Sequence, residues 1–157
     1  MNIFYLSHDP QKAASYHYNR HVVKMPLEAA QMLCTAHRYY GNDNVPYKTA
    51  HLNHPSSIWV RSDALHYYWT YDYMMALGKL YTQRYNKFHL TIEKCHDVLS
   101  YLPEGIPDKG QWQDPPQCMP DEYKCEDSRL AYWNYYINAK KHIITKNETA
   151  YERIQNL

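Results

Sequence analysis

Apolar and polar positions recur with a helical period over most of the chain, most clearly between residues 59 and 80. Trp59, His66, Trp69, Tyr73, Leu77 and Leu80 follow at spacings of seven, three, four, four and three, the stripe of an amphipathic helix. With Asn53-His54-Pro55 as its polar lead-in, this pattern predicts one long helix from Pro55 to Asn86, with Gly78 as its weak point. Leu130, Trp133, Ile137 and Ile144 repeat at three, four and seven behind Asp127 and Ser128, predicting a final helix capped by one of those two residues. Ile92, Cys95, Leu99 and Leu102 share one side of a shorter helix from Thr91 to Leu102.

The first forty residues carry a second pattern. Asn2 to Leu6 is a short apolar run, too short for periodicity to assign. Asp9-Pro10 has the form of an N-cap followed by proline at the first helical position, which predicts a helix from about 10 to 24. Pro26 is expected to end, kink or restart it, because proline removes a donor and disfavours the α region before it. A further helical stretch then runs to about Tyr40, where Gly41-Asn42-Asp43-Asn44 supplies turn chemistry. Pro103 to Pro120 is a proline-rich loop expected to wrap the core. These elements predict an all-α, compact single-domain bundle of about four to five helices with a long Pro-rich loop, spanning residues 1–157.

Composition refines this picture. At 157 residues with 45% apolar and 15% aromatic content, including 18 Tyr, the chain has enough apolar surface for a core. No run is long and apolar enough for a membrane span, and the N-terminus lacks the features of a signal peptide. A cytoplasmic protein with no membrane partner is expected. Cys34, Cys95, Cys118 and Cys125 form no Cys-x-x-Cys pair and read as reduced thiols. The formal charge of +1 hides an asymmetry: residues 104 to 127 hold seven acids against two lysines, so the remainder of the chain is +6. That leaves room for a basic face toward a polyanion.

His17, His21, Lys24, Glu28, Gln31, Thr35 and Arg38 alternate at spacings of four and three, and share one face of an ideal helix. Val23, Leu27, Ala30 and Cys34 are the apolar positions expected to face the core. Two readings stand: a site combining an amine, a carboxylate and two imidazoles, or an exposed polar face with Glu28 in the first turn after Pro26. The spacing of His17 and His21, and of Asp63 and His66, also suits metal ligands, but histidine is abundant here and no metal is expected. Around Asn53-His54-Pro55 a helix start, the hydroxyls of Ser56 and Ser57, and nearby Lys48 and Arg61 allow two readings: groups of the kind that often hold an anion, or an ordinary capped helix. Tyrosines interleaved with Arg61, Lys79, Arg84, Lys87 and Lys94 suit stacking on bases or a core edge.

The stretches Asn2 to Leu6, His21 to Glu28, Leu33 to Arg38, Asn53 to Pro55, Trp59 to Arg61, Arg84 to His89 and Met119 to Tyr123 together resemble a family of small bacteriophage proteins, over nearly the whole chain. In order and spacing the layout is more distantly similar to the pyrimidine dimer DNA glycosylases of the phage endonuclease V type. His21 followed seven residues later by Glu28, the Asn-His-Pro turn and the aromatic element Trp133 to Tyr136 carry that second likeness. The family uses a Thr α-amine exposed by Met removal and arginines around its Glu. This chain has Asn2, Lys24 and Gln31 there.

The resemblance implies N-glycosidic bond cleavage with a lyase step on damaged or modified bases in duplex DNA, inside an infected bacterial host and without a cofactor. Glu28 would shuttle protons, His21 would orient it or contact a phosphate, and Met1 or Lys24 would supply the amine. Lys48, His54, Arg61, Arg84 and Lys87 would line the DNA. Two alternatives remain: a non-catalytic phage protein binding a nucleotide or host protein, and a phage DNA-modification enzyme.

Overall fold

The computed structural model describes residues 2–145, and all regular structure among them is helical. The Asp9 carboxylate accepts the N–H groups of Gln11 and Lys12 at 2.9 and 3.3 Å and so opens α1 (Pro10–Ser15). The break expected at Pro26 falls earlier, at Tyr16–Tyr18. There the fully buried His17 donates from Nδ1 to the Ala13 carbonyl at 2.7 Å, and the Tyr18 N–H is taken by the Tyr136 hydroxyl at 2.8 Å. From there α2 (Asn19–Tyr39) runs straight through Pro26. Proline forfeits one backbone bond, but Met25, Pro26, Ala29 and Ala30 are all buried, and tertiary packing outweighs that local loss. Gly41, at φ +92°, turns the chain out of α2, a conformation open to glycine at no steric cost.

The long helix expected over 55–86 is two helices, α3 (Pro55–Val60) and α4 (Ala64–Tyr85). Asp63 separates them by capping α4 through the Leu65 N–H at 2.9 Å while its second oxygen accepts the Lys109 N–H at 3.1 Å. Gly78 does not interrupt α4. A Cβ there would come within 2.5 Å of Ile92 Cγ1, so the missing side chain is where α5 (Leu90–Cys95) docks. The helix expected to Leu102 therefore stops at Cys95, and a 3-10 turn over Val98–Ser100 follows. Asp127 caps α6 (Ser128–Lys140) through the Arg129 and Leu130 N–H groups, as its sequence suggests, and a 3-10 turn over Lys141–Ile143 ends the helix before Ile144.

The long helices α2 and α4 form the central pair, with α1 laid along α4 and α3 and α5 against α2. Ile3, Phe4, Tyr5 and Leu6 are all buried, so the N-terminal run is an irregular stretch of chain threaded into the core. It is tied to α6 by the Trp133 indole N–H, which donates to the Leu6 carbonyl at 2.8 Å. The proline-rich loop wraps the ends of α3 and α4: Ala64 N–H donates to Pro107 O at 2.7 Å, Gln113 N–H to His66 Nε2 at 3.0 Å, and the Trp59 indole to Gln113 O at 2.8 Å. No described helix is long and apolar enough to cross a membrane.

The orientation of α2 reverses the expectation for its first turns. Val23 and Leu27 are 43% and 37% exposed, while His21 is only 9% exposed and Thr35 is buried; Ala30 and Cys34 do face the core. The cause is the aromatic cluster beneath His21, whose ring lies stacked on Phe4 at 4.6 Å and 19° and 5.3 Å from Tyr136. Aromatic burial outweighs that of two aliphatic side chains.

Candidate active site

Four stretches of the chain meet at one small polar cleft of about 270 Å³. From the threaded N-terminus come Asn2 and Phe4; from α2 come His21, Lys24, Met25 and Glu28; from the loop comes Cys118; and from α6 come Tyr135 and Lys140. Successive polar positions at spacings of three and four bring His21, Lys24 and Glu28 onto the same wall. Asn2 fixes the loop edge, donating from Nδ2 to the Cys118 carbonyl at 2.9 Å. Lys140 reaches in across the Tyr135 ring, with Nζ 5.1 Å from its centroid.

The electrostatics divide these groups by role. Burial, the largest cause, pushes the His21 imidazolium down to about 3, and repulsion from the positive charges that neighbouring His17, Lys140, Lys24 and His142 can carry acts in the same direction. His21 is therefore a neutral imidazole at physiological pH, fixed through Nδ1 by the Tyr136 hydroxyl at 2.9 Å. It can orient a neighbour or exchange a hydrogen bond, and it has no charge to offer a phosphate. His17 is pushed to about 3 as well, by burial above all. Its Nδ1–H is committed to Ala13, so its Nε2 accepts the Tyr73 O–H at 2.6 Å, and both ring nitrogens are used inside the core. That removes His17 from the site and from any metal pair with His21.

His54 lies at the edge of the same region. Its Nδ1 accepts the Ser56 N–H at 3.1 Å as the N-cap of α3, and the Glu28 carboxylate partly opposes the burial that lowers its basicity. The Ser56 hydroxyl is in turn 3.6 Å from the Cys118 thiol at the cleft.

The other residues expected to meet DNA are placed differently. Lys48 and Lys87 are exposed, outside the cleft. Arg61 is 8% exposed, donating to the Leu52 carbonyl at 2.7 Å with its guanidinium 4.3 Å over the Tyr39 ring. Its charge serves to close the 52–61 turn. Arg84, half-buried, donates to the His17 carbonyl at 3.1 Å and Asn19 Oδ1 at 2.9 Å, so it bridges α4 to the start of α2. Met1 lies outside the described residues. Among those residues no group of three or more His, Cys, Asp or Glu side chains is arranged to hold a metal ion.

Sequence reasoning missed Asn2, Cys118 and Lys140. None of the three has a local pattern that marks it as a cleft wall, and only the docking of the N-terminal segment and α6 against α2 brings them to Glu28. Comparison with protein families, curated proteins and solved structures returns no match.

Proposed function

We propose that this is a phage DNA N-glycosylase with an associated lyase step, acting on damaged or modified bases in duplex DNA. The supporting observation is that the Glu28 carboxylate and two primary amines, Lys24 and Lys140, line one small cleft with a neutral imidazole. Carboxylate and amine are the two groups that this chemistry needs. The amine nitrogen attacks C1′ as the bond from C1′ to the base breaks, and the electron pair leaves on the base, which takes a proton. The nitrogen then loses a proton, its lone pair forms a C1′=N iminium as the C1′–O4′ bond breaks, and O4′ takes a proton to become the C4′ hydroxyl. Removal of a C2′ proton expels the 3′ phosphate.

Glu28 is suited to stabilise the cationic sugar and move the protons, and neutral His21 to hold the orientation of the groups about it. The cleft lies just below the usual range of about 300–1,000 Å³ for ligand pockets, a size for one sugar and an edge of its base, with the duplex outside. Reaching it requires the nucleotide to be extruded from the stack. Exposed Lys48 and Lys87 are the candidates for backbone phosphates.

The test is borohydride trapping on undamaged, UV-irradiated, abasic and phage-modified duplexes, with the wild type and Glu28→Gln. A covalent adduct on one of the altered duplexes that disappears in Glu28→Gln supports the reading. Absence of any adduct or strand cleavage on all four would overturn it.

A further inference from the structure

A second recess, of about 500 Å³, shares no residue with the Glu28 cleft and lies between α1, the Leu6–Ser7 segment and the outer face of α6. It accounts for a pattern that the core does not absorb. Of the apolar stripe on the last helix, Trp133 is buried, but Leu130 is 51% exposed and Ile137 only half-covered, and both open into this recess. Its inner wall is aromatic: the Tyr16 and Trp133 rings meet at 5.1 Å and 57°.

Two cations complete it, Lys12 from α1 and Arg129 from the first turn of α6. Neither forms an ion pair among the described residues. The nearest acids in sequence, Asp9 and Asp127, keep their charge but turn their carboxylates to the helix ends, each accepting two backbone N–H groups. Two cationic side chains unpaired among the described residues, beside an aromatic and aliphatic wall, suit a ligand with a flat apolar body and one phosphate, whose oxygens accept charge-assisted hydrogen bonds from both. The volume lies within the range of small-molecule sites, about 300–1,000 Å³.

We propose that this groove binds a nucleoside monophosphate, with the phosphate between Lys12 and Arg129 and the base against Tyr16, Trp133 and Leu130. The Arg129 guanidinium offers the forked donor geometry that a phosphate accepts. This site is independent of the chemistry at Glu28.

Titration calorimetry with thymidine monophosphate, thymidine and inorganic phosphate tests it, on the wild type, Lys12→Gln, Lys12→Gln/Arg129→Gln and Glu28→Gln. The nucleotide is expected to bind at least about tenfold more tightly than either fragment. That affinity should fall about tenfold or more in the double variant, fall partially in Lys12→Gln, and stay unchanged in Glu28→Gln. Thermal melts establish that each variant folds, and Lys12, exposed on α1, gives a readout if the double variant does not. Equal affinity for phosphate and nucleotide, no binding of the nucleotide at millimolar concentration, or binding abolished in Glu28→Gln but kept in Lys12→Gln would each overturn the proposal.

Discussion

Arg61 and Lys87 carry the same charge, and burial gives them opposite tasks. Arg61 is enclosed, bonded to the Leu52 carbonyl and laid over Tyr39, so Arg61→Ala should lower stability by roughly 1–3 kcal/mol. It should leave the salt dependence of DNA binding almost unchanged. Lys48→Ala and Lys87→Ala should do the reverse. Stability stays within about 0.5 kcal/mol, while the slope of log affinity against log salt falls by about 1 for each phosphate left without its lysine. Chemical denaturation and salt-titrated binding separate the two outcomes. A sequence shows both residues as basic positions near aromatics, and only the path of the 52–61 turn decides which one is enclosed. His21 and Glu28 were legible as a pair because helical spacing alone joins them. The neutrality of His21 was not, since it comes from Phe4 and Tyr136, seventeen and 115 positions away.

Two elements show where local signals won and where packing did. The division of residues 55–86 into α3 and α4 had a signal in the chain, the N-cap residue Asp63, which the continuous apolar stripe concealed. Asp63→Ala should cost about 1–2 kcal/mol for the cap, with a further loss from the freed Lys109 N–H, and should increase proteolysis within residues 103–114. A melting curve and limited digestion of the variant check both. Pro26 is the opposite case: the local signal for a break was strong, but the buried neighbours Met25, Ala29 and Ala30 keep α2 intact. Gly78 follows the same logic. Alanine favours an exposed helix by about 1 kcal/mol, yet Gly78→Ala should destabilise by about 1–3 kcal/mol through overpacking on Ile92. Adding Ile92→Ala should make the Gly78→Ala step favourable, measured as a double-mutant cycle.

Over the whole molecule, the all-α class was readable because periodicity and capping are local. The assembly of the cleft was not, because Asn2, Cys118 and Lys140 reach Glu28 only through the threading of the N-terminus between α2 and α6. The same threading makes the fold acid-sensitive. His17 and His21 are held near 3 in the folded state against about 6.5 in an unfolded chain, so the unfolded state binds more protons between those values. Stability from these two residues is fully present above about pH 6.5 and is lost as pH falls toward 3. Each steepens the fall by up to about 1.4 kcal/mol per pH unit. Urea denaturation from pH 7.5 to pH 4 should show a midpoint that drops steadily below pH 6.5. A flat midpoint over that range would contradict the neutral assignment of both imidazoles.

Whether an amine in the Glu28 cleft attacks the sugar is decided by peptide mapping, using mass spectrometry, of the borohydride-trapped protein. A reduced adduct is expected on Lys24 or Lys140, at a single site, with none formed by Glu28→Gln. An adduct on a lysine outside the cleft, such as Lys48 or Lys87, or one of undiminished yield in Glu28→Gln, would contradict it.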